Sequence, residues 1–142
     1  MADSYIPEAG DIVWLHFNPQ AGHEQAGHRP ALVVSPSAYN AKTGLMLCCP
    51  MTTKIKGYPF EVIIDTSPAG VVLADQIKSL DWLARKASFK EKITSAQLKE
   101  VRKKATLLIV GWPSKNWLPI DLISVILKGQ ALTGLVFFCG GV

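Results

Sequence analysis

No CxxC pair and no Cys/His ligand spacing occurs in the sequence; its three cysteines are the adjacent Cys48 and Cys49 and the remote Cys139. A structural zinc site and a disulfide framework are therefore not expected, whereas buried thiols in a reducing compartment are. The opening residues, Met1-Ala2-Asp3-Ser4-Tyr5, lack a basic region followed by an apolar run. No signal peptide is expected, and the cytoplasm is the default compartment. Long apolar runs are missing too, since a helix needs roughly 20 such residues to span a bilayer. The longest uncharged stretch, Gly129 to Val142, is too short. Extending it back to Leu122 puts Lys128 near the middle at a cost of roughly 3 kcal/mol, so a membrane partner is not favoured. No internal repeat or low-complexity tract is visible.

Charge is sparse as well. Charged residues make up 18% of the 142 residues and hydrophobic ones 49%, which excludes disorder over most of the chain and suits one domain with a real core. Fifteen Lys and Arg against eleven Asp and Glu leave a net charge of +4. That surplus is compatible with a polyanionic partner without requiring one.

What is present is mostly strand-like. Asp11 to Phe17 is β-branched and aromatic and follows a turn at Gly10, so it reads as a strand. A polar loop runs from Asn18 to Arg29, broken by Pro19, Gly22 and Gly27. Pro30 to Ser35 and Gly44 to Pro50 read as strands, with a turn or short helix around Ser37 to Lys42 between them. A second polar loop, Thr52 to Pro59, precedes short strands at Phe60 to Ile64, Gly70 to Ala74 and Ile77 to Leu80. Many short strands separated by turns predict a compact β-barrel or a strongly coiled sheet.

The period changes after Ser95. Leu98, Val101, Ala105 and Leu108 recur at helical spacing, with Lys99, Glu100, Arg102, Lys103 and Lys104 on the other face, which reads as a solvated one. Thr94 and Gln97 match a capping box at the start, and Gly111-Trp112-Pro113 stops the helix. Beyond it, Trp112 to Val142 carry only Lys115, Asp121 and Lys128 as charges. A packed extra segment or an oligomer contact fits that composition.

Chemistry is expected on the two polar loops. One holds His23, Glu24, Gln25, His28 and Arg29; the other holds Thr52, Thr53, Lys54 and Lys56. If the intervening strands are neighbours, both loops converge on one groove. A carboxylate, a guanidinium, hydroxyls and ammonium groups together suit RNA transesterification. There the 2′-hydroxyl attacks its own phosphate, one proton is removed, another is supplied, and charge on the phosphoryl oxygens is stabilised. A planar Arg fork matches phosphate well. Glu24 is placed either as base or as the residue orienting Arg29. A hydrogen-bonded surface loop explains the same residues, with Arg29 paired to Asp75 or Glu61.

Several ordered blocks resemble the MazF/PemK/Kid family of toxins. They are Gly10-Asp-Ile-Val-Trp14, Phe17-Asn-Pro19, Glu24-Gln-Ala-Gly-His-Arg-Pro-Ala31, Ser35-Pro36, Tyr39-Asn40, Lys42-Thr-Gly44 and Cys49-Pro50. Thr52-Thr53, Lys56-Gly-Tyr-Pro-Phe-Glu-Val62, Val72-Leu-Ala-Asp-Gln-Ile-Lys-Ser79, Trp82 and Ala84-Arg85 continue the series. The resemblance covers roughly residues 4 to 111. It implies a mainly β fold with a C-terminal helix, an SH3-like barrel of the MazF/CcdB type, working as a homodimer. It also implies metal-independent cleavage of single-stranded mRNA without cofactor, leaving a 2′,3′-cyclic phosphate and a 5′-hydroxyl. A cognate MazE-like antitoxin, acidic and partly disordered, is implied as partner, and an ACA-like cleavage site is a reasonable expectation. Matched residue by residue, the family's key arginine falls on Arg29, its key threonine on Thr52, and the acidic loop residue of the MazF branch on Glu24. Gln25, Lys56 and Gln76 or Lys78 fall on RNA contacts. Thr53 stands beside Thr52 as an alternative for its role.

The sequence departs from that family in two places. The tail beyond Trp112 has no counterpart, which divides the chain into a toxin domain at 1–112 and an apolar extension at 113–142. The loop from Thr66 to Gly70 also looks shortened, with a consequence for sequence preference. The rival reading is a non-catalytic toxin that binds a topoisomerase, as CcdB relatives do, and a plain RNA-binding adaptor is a third. The Glu24, Arg29 and Thr52 set favours the nuclease, since a binder has no need of it.

Overall fold

The structure is a computed structural model in which residues 4–18, 22–23 and 27–110 are described. Three strands form its centre: β1 (Asp11–His16), β2 (His28–Val33) and β3 (Leu45–Thr52). Their middle residues are mostly apolar because the sheet is buried on both faces there. Ile12, Leu32, Cys49 and Met51 face one cluster with Val62, Ile64, Val72 and Val101. Their neighbours Val13, Ala31, Val33 and Cys48 face another, with Leu15, Phe17, Met46 and Trp82. The period of two along each strand sorts the side chains between these two cores.

Four shorter strands complete a coiled half-barrel: β4 (Glu61–Ile64), β5 (Gly70–Leu73), β6 (Lys78–Asp81) and β7 (Ser88–Lys92). The order is β4-β5-β3-β2-β1-β7, with β6 also on β3 and every pair antiparallel. Along one edge β3 pairs with β6 up to Cys48 and with β5 from Met51 onward. Pro50 falls between those ladders, where a residue without an N–H leaves no bond missing.

Between β2 and β3, α1 (Ser37–Thr43) ends at Gly44, whose φ of 73° is the left-handed conformation that glycine adopts without strain. Asn40 on this helix is fully buried. Ser35 Oγ donates to its Oδ1 at 2.6 Å, and its Nδ2 donates to the carbonyls of Pro7 at 2.8 Å and Ser35 at 3.1 Å. Trp82 Nε1 donates to the Asn40 carbonyl at 2.9 Å, tying β6 to the same point.

The closing helix, α2 (Ser95–Val110), begins with the expected capping box. Thr94 N donates to Gln97 Oε1 at 3.1 Å and Gln97 N to Thr94 Oγ1 at 3.2 Å. Thr94→Ala should lower stability by about 1 kcal/mol, read from the urea midpoint. Val101 and Ala105 pack inward as the pattern required, but the basic face is not wholly solvated. Lys104 is buried, with Nζ donating to the Glu61 carbonyl at 3.2 Å, and burial lowers its pKa. Arg102 donates through Nε and Nη2 to the Val34 carbonyl. Among the described residues no helix is long and apolar enough to cross a membrane. The tail at 113–142, with Cys139, lies outside the described residues.

Two further features differ from the sequence reading. β2 starts at His28, so His28 and Arg29 belong to a strand and not to the loop before it. β7 carries no strand signal in the sequence, because Ser-Phe-Lys-Glu-Lys has one apolar residue and an edge strand needs no apolar alternation.

Cys48 and Cys49 are buried and free. Burial pushes the Cys48 thiol up to about 12 from an ordinary 9.0 and moves Cys49 the same way, helped by Cys48 and Asp75. Between those two values the folded state holds protons that the unfolded state has lost. The stability this contributes is complete below about pH 9 and disappears as pH rises through about 12. In a Cys139→Ser background, the urea midpoint should fall from pH 8.5 to pH 11 by less in the Cys48→Ala/Cys49→Ala variant than in the parent.

Candidate active site

The β2–β3 ladder runs Val33↔Cys48, Leu32↔Cys49, Ala31↔Pro50. Continued by two residues, that register sets Arg29 opposite Thr52. Directly opposed residues of antiparallel strands put their side chains on the same face. One residue comes from the start of a strand and the other from the end of its neighbour, so the pair sits at the rim of the sheet. Both line a cavity of about 400 Å³ with His23, Lys54, Lys56, Tyr58, Glu61, Leu73, Asp75 and Gln76.

Each element supplies its side chain for a local reason. Thr52 Oγ1 accepts from Lys54 N at 3.2 Å, turning the chain out of β3 while leaving the hydroxyl proton to be donated elsewhere. A cationic loop follows, and Glu61 holds it. The Glu61 carboxylate accepts from Lys56 N at 3.1 and 3.2 Å and from Gly57 N at 3.1 Å, around the left-handed turn at Gly57, φ 76°. Lys104 grips the backbone of Glu61 from behind. Removing the carboxylate in Glu61→Ala should speed amide hydrogen exchange at Lys56 and Gly57 by about 10-fold or more, since bonds to a charged acceptor are each worth roughly 1.5–3 kcal/mol. Under the opposite end, Gly70 of β5 is pressed against β3: a Cβ there would lie 3.3 Å from the Thr52 carbonyl.

Asp75 closes the far wall. Its Oδ2 accepts from Tyr58 OH at 2.8 Å, and that bond is the main reason the Tyr58 phenol is raised above its ordinary pKa. Its Oδ1 is buried with no hydrogen-bond partner. Next to it, the turn Ala74–Gln76 carries Gln76 into the cavity. The floor of the groove continues into a further cavity lined by Gln76, Lys78, Phe17 and Arg85, where Lys78 Nζ stands 5.9 Å from the centre of the Phe17 ring. Arg85 Nη1 donates to the carbonyls of His16 at 3.0 Å and Asn18 at 2.7 Å, and Asn18 Oδ1 accepts from Gly27 N at 3.1 Å. These bonds draw the neck of the first polar loop closed.

Of the residues singled out from sequence, Arg29, Thr52, Lys56 and Gln76 share one cavity. Thr53 lines the adjoining one and Lys78 the third. Glu24 and Gln25 lie outside the described residues. Both carboxylates named as alternative partners for Arg29 line the same cavity, where Glu61 also accepts from backbone N–H groups and Asp75 Oδ2 from Tyr58. His28 stacks on Trp14, ring centres 5.4 Å apart and 16° from parallel, with His16 4.5 Å away. The cavity also holds His23 and Lys54, named above only as members of the polar loops, and Asp75, named only as an alternative partner for Arg29. Tyr58 is the addition, and its place inside a family-like block is the signal for it.

The family model for PemK-like, MazF-like toxins of type II toxin-antitoxin systems matches residues 8–109. Endoribonuclease toxin MazF of Escherichia coli strain K12 is 49% identical over 110 residues, covering 77% of this chain and 99% of that protein. Endoribonuclease PemK of Escherichia coli is 35% identical over 100 residues, 66% of this chain and 75% of that one. The crystal structure of MazF from Deinococcus radiodurans superposes with a TM-score of 0.72 at 53% identity, covering 75% of this chain and 99% of that one. A MazE-MazF structure from the same organism gives 0.67 at 54% identity, covering 75% and 97%.

Proposed function

The chain belongs to the family of PemK-like, MazF-like toxins of type II toxin-antitoxin systems, and on that premise we propose that it cuts single-stranded mRNA by 2′-hydroxyl attack without a metal. It is an endoribonuclease toxin, and a MazE-like antitoxin is its cognate partner. The observation that carries the site assignment is the opposition of Arg29 and Thr52 across β2 and β3 within a cavity rich in cationic side chains.

Arg29 binds two phosphoryl oxygens through its planar fork, and its charge matters most as the phosphorane forms. Thr52 donates its hydroxyl proton to the same centre. Glu24 is the acid–base group or the residue that orients Arg29. Lys56 and Lys54 neutralise neighbouring phosphates, while Gln25, Thr53, Gln76 and Lys78 contact the flanking nucleotides. The toxin domain spans 1–112, acts in the cytoplasm on mRNA as a homodimer, and carries 113–142 as an appended apolar segment. An acidic antitoxin tail competes for a groove built to hold phosphates.

Incubating the protein with a synthetic RNA in EDTA tests the reading. Cleavage should persist in the chelator and vanish when the nucleotide 5′ to the cut is replaced by its 2′-deoxy analogue. Cleavage that survives the deoxy substitution would rule out 2′-hydroxyl attack, and cleavage that EDTA abolishes would rule out metal independence. Intact RNA beside an inhibited gyrase would favour the topoisomerase-binding rival instead.

A further inference from the structure

A second cavity of about 410 Å³ adjoins the first and shares Arg29, Thr52 and Lys54 with it. Its character is different. Where the first is lined by lysines and carboxylates, this one is lined by Ile12, Trp14 and Pro30, with the hydroxyls of Thr53 and Ser67 among its polar groups. The size lies within the range of cavities that take small organic ligands, roughly 300–1,000 Å³.

The walls are preformed. Trp14 is held by its stack on His28. The opposite side is the segment from Thr66 to Gly70, the stretch that looks shortened in the sequence. Thr66 fixes it, through N donating to the Ile64 carbonyl at 2.9 Å and Oγ1 donating to the Pro68 carbonyl at 2.8 Å. At its end, Gly70 lets β5 lie close to the Thr52 carbonyl, where a Cβ would sit in a tight 3.3 Å contact. The loop is therefore pinned beside the reacting centre.

We propose that this cavity, between Trp14 and the 66–70 loop, is the subsite for the nucleobase next to the scissile phosphate, and that the loop sets part of the sequence preference. The inference rests on the nuclease reading. A single-stranded RNA has unstacked bases, each with an apolar π-face and polar edges, and proteins bind them by pairing aromatic surface with nearby hydrogen-bonding groups. With the phosphate on Arg29, the adjoining base needs a neighbouring compartment of that kind. The charged cavity offers only the Tyr58 ring, its hydroxyl tied to Asp75, whereas the other offers Trp14 within a broader apolar wall of Ile12 and Pro30.

Ser67 is exposed on the loop, so Ser67→Tyr narrows the cavity without touching the core. In an oligonucleotide bearing a mapped cut site, an abasic residue is placed at each flanking position in turn. At one flank it should lower kcat/KM by about 10-fold or more, in line with roughly 1–3 kcal/mol per stacked base. Ser67→Tyr should impose a similar loss on the intact substrate and little further loss on that abasic one, and should alter the cleavage profile of a random-sequence RNA pool. Additive penalties, or an unchanged profile, would overturn the subsite. So would normal cleavage combined with escape from the antitoxin, which would assign the cavity to that partner. Binding of an uncleavable 2′-deoxy-blocked oligonucleotide, intact against abasic, separates the two claims. Base-dependent binding that Ser67→Tyr removes keeps the subsite even if no RNA is cut, whereas cleavage with base-independent binding sinks the subsite alone.

Discussion

Arg29→Ala should reduce RNA cleavage by about 10²–10³-fold in kcat with the melting temperature nearly unchanged, because a preorganised donor to developing charge is typically worth that much. The preorganisation comes from the sheet. Arg29 lies in β2, where its backbone is set by pairing with Leu15 of β1, and its register faces it to Thr52. A guanidinium placed this way needs no reorganisation when charge builds on the phosphoryl oxygens. Removing it deprives the transition state more than the ground state, so kcat should fall more than KM rises. Arg29→Lys should recover only a small part of the rate, since an ammonium cannot present two parallel donors. Single-turnover rates on a fluorescent oligonucleotide, with circular dichroism as the folding control, give the measurement. A loss below tenfold in Arg29→Ala would remove this residue from the reaction.

Asn40→Ala should be the most damaging single truncation away from the site, lowering stability by about 3 kcal/mol, as expected when several buried polar groups lose their partner. Its carboxamide accepts from Ser35 Oγ and donates to two carbonyls, one of them 33 residues earlier at Pro7. Truncation strands all three and leaves a cavity where a fully buried side chain stood. The consequence reaches β3, because the same Ser35 Oγ accepts from Leu47 N at 2.9 Å. A melting temperature lower by roughly 10–20 °C is expected from the usual entropy of unfolding for a domain near this size. Cleavage measured well below that temperature should stay within a few-fold of wild type. Asn40→Asp makes a stricter test, for it keeps the shape, removes both donors and buries a charge. If Asn40→Asp is as stable as wild type, the network has been misjudged.

Much of the fold was readable because its cues are local. The β-branched and aromatic residues of β1 and the uncharged apolar run of β3 mark central strands, and Thr94 with Gln97 marks the start of α2 to the residue. The strands between the two polar loops are indeed neighbours, which is why the loop residues converge. What escaped depended on distant contacts. Arg29 and Thr52 look like loop residues since both are polar, yet each is the rim residue of a ladder whose register cannot be read before the strands are paired. Lys104 is buried because Glu61, 43 residues earlier, presents a carbonyl to it. Glu61 invites reading as an ion partner alone, and the sequence gives no sign that the folded loop brings its carboxylate two backbone N–H groups. Charge identifies such residues as polar and does not tell which partner they keep.

The placement of Arg29 and Thr52 at the ends of two hydrogen-bonded strands also bears on how the protein fails when heated. Residues carried by independent loops can lose their arrangement through local fluctuation long before the domain melts. Here the strands that carry the two groups are joined, from Ala31 and Pro50 inward, by the ladder that divides both hydrophobic clusters, so a separation of β2 from β3 amounts to opening the whole cooperative unit. Thermal loss of the Arg29–Thr52 arrangement should accordingly superimpose on the calorimetric unfolding curve, so that any earlier fall in cleavage reports on the two polar loops and not on this pair.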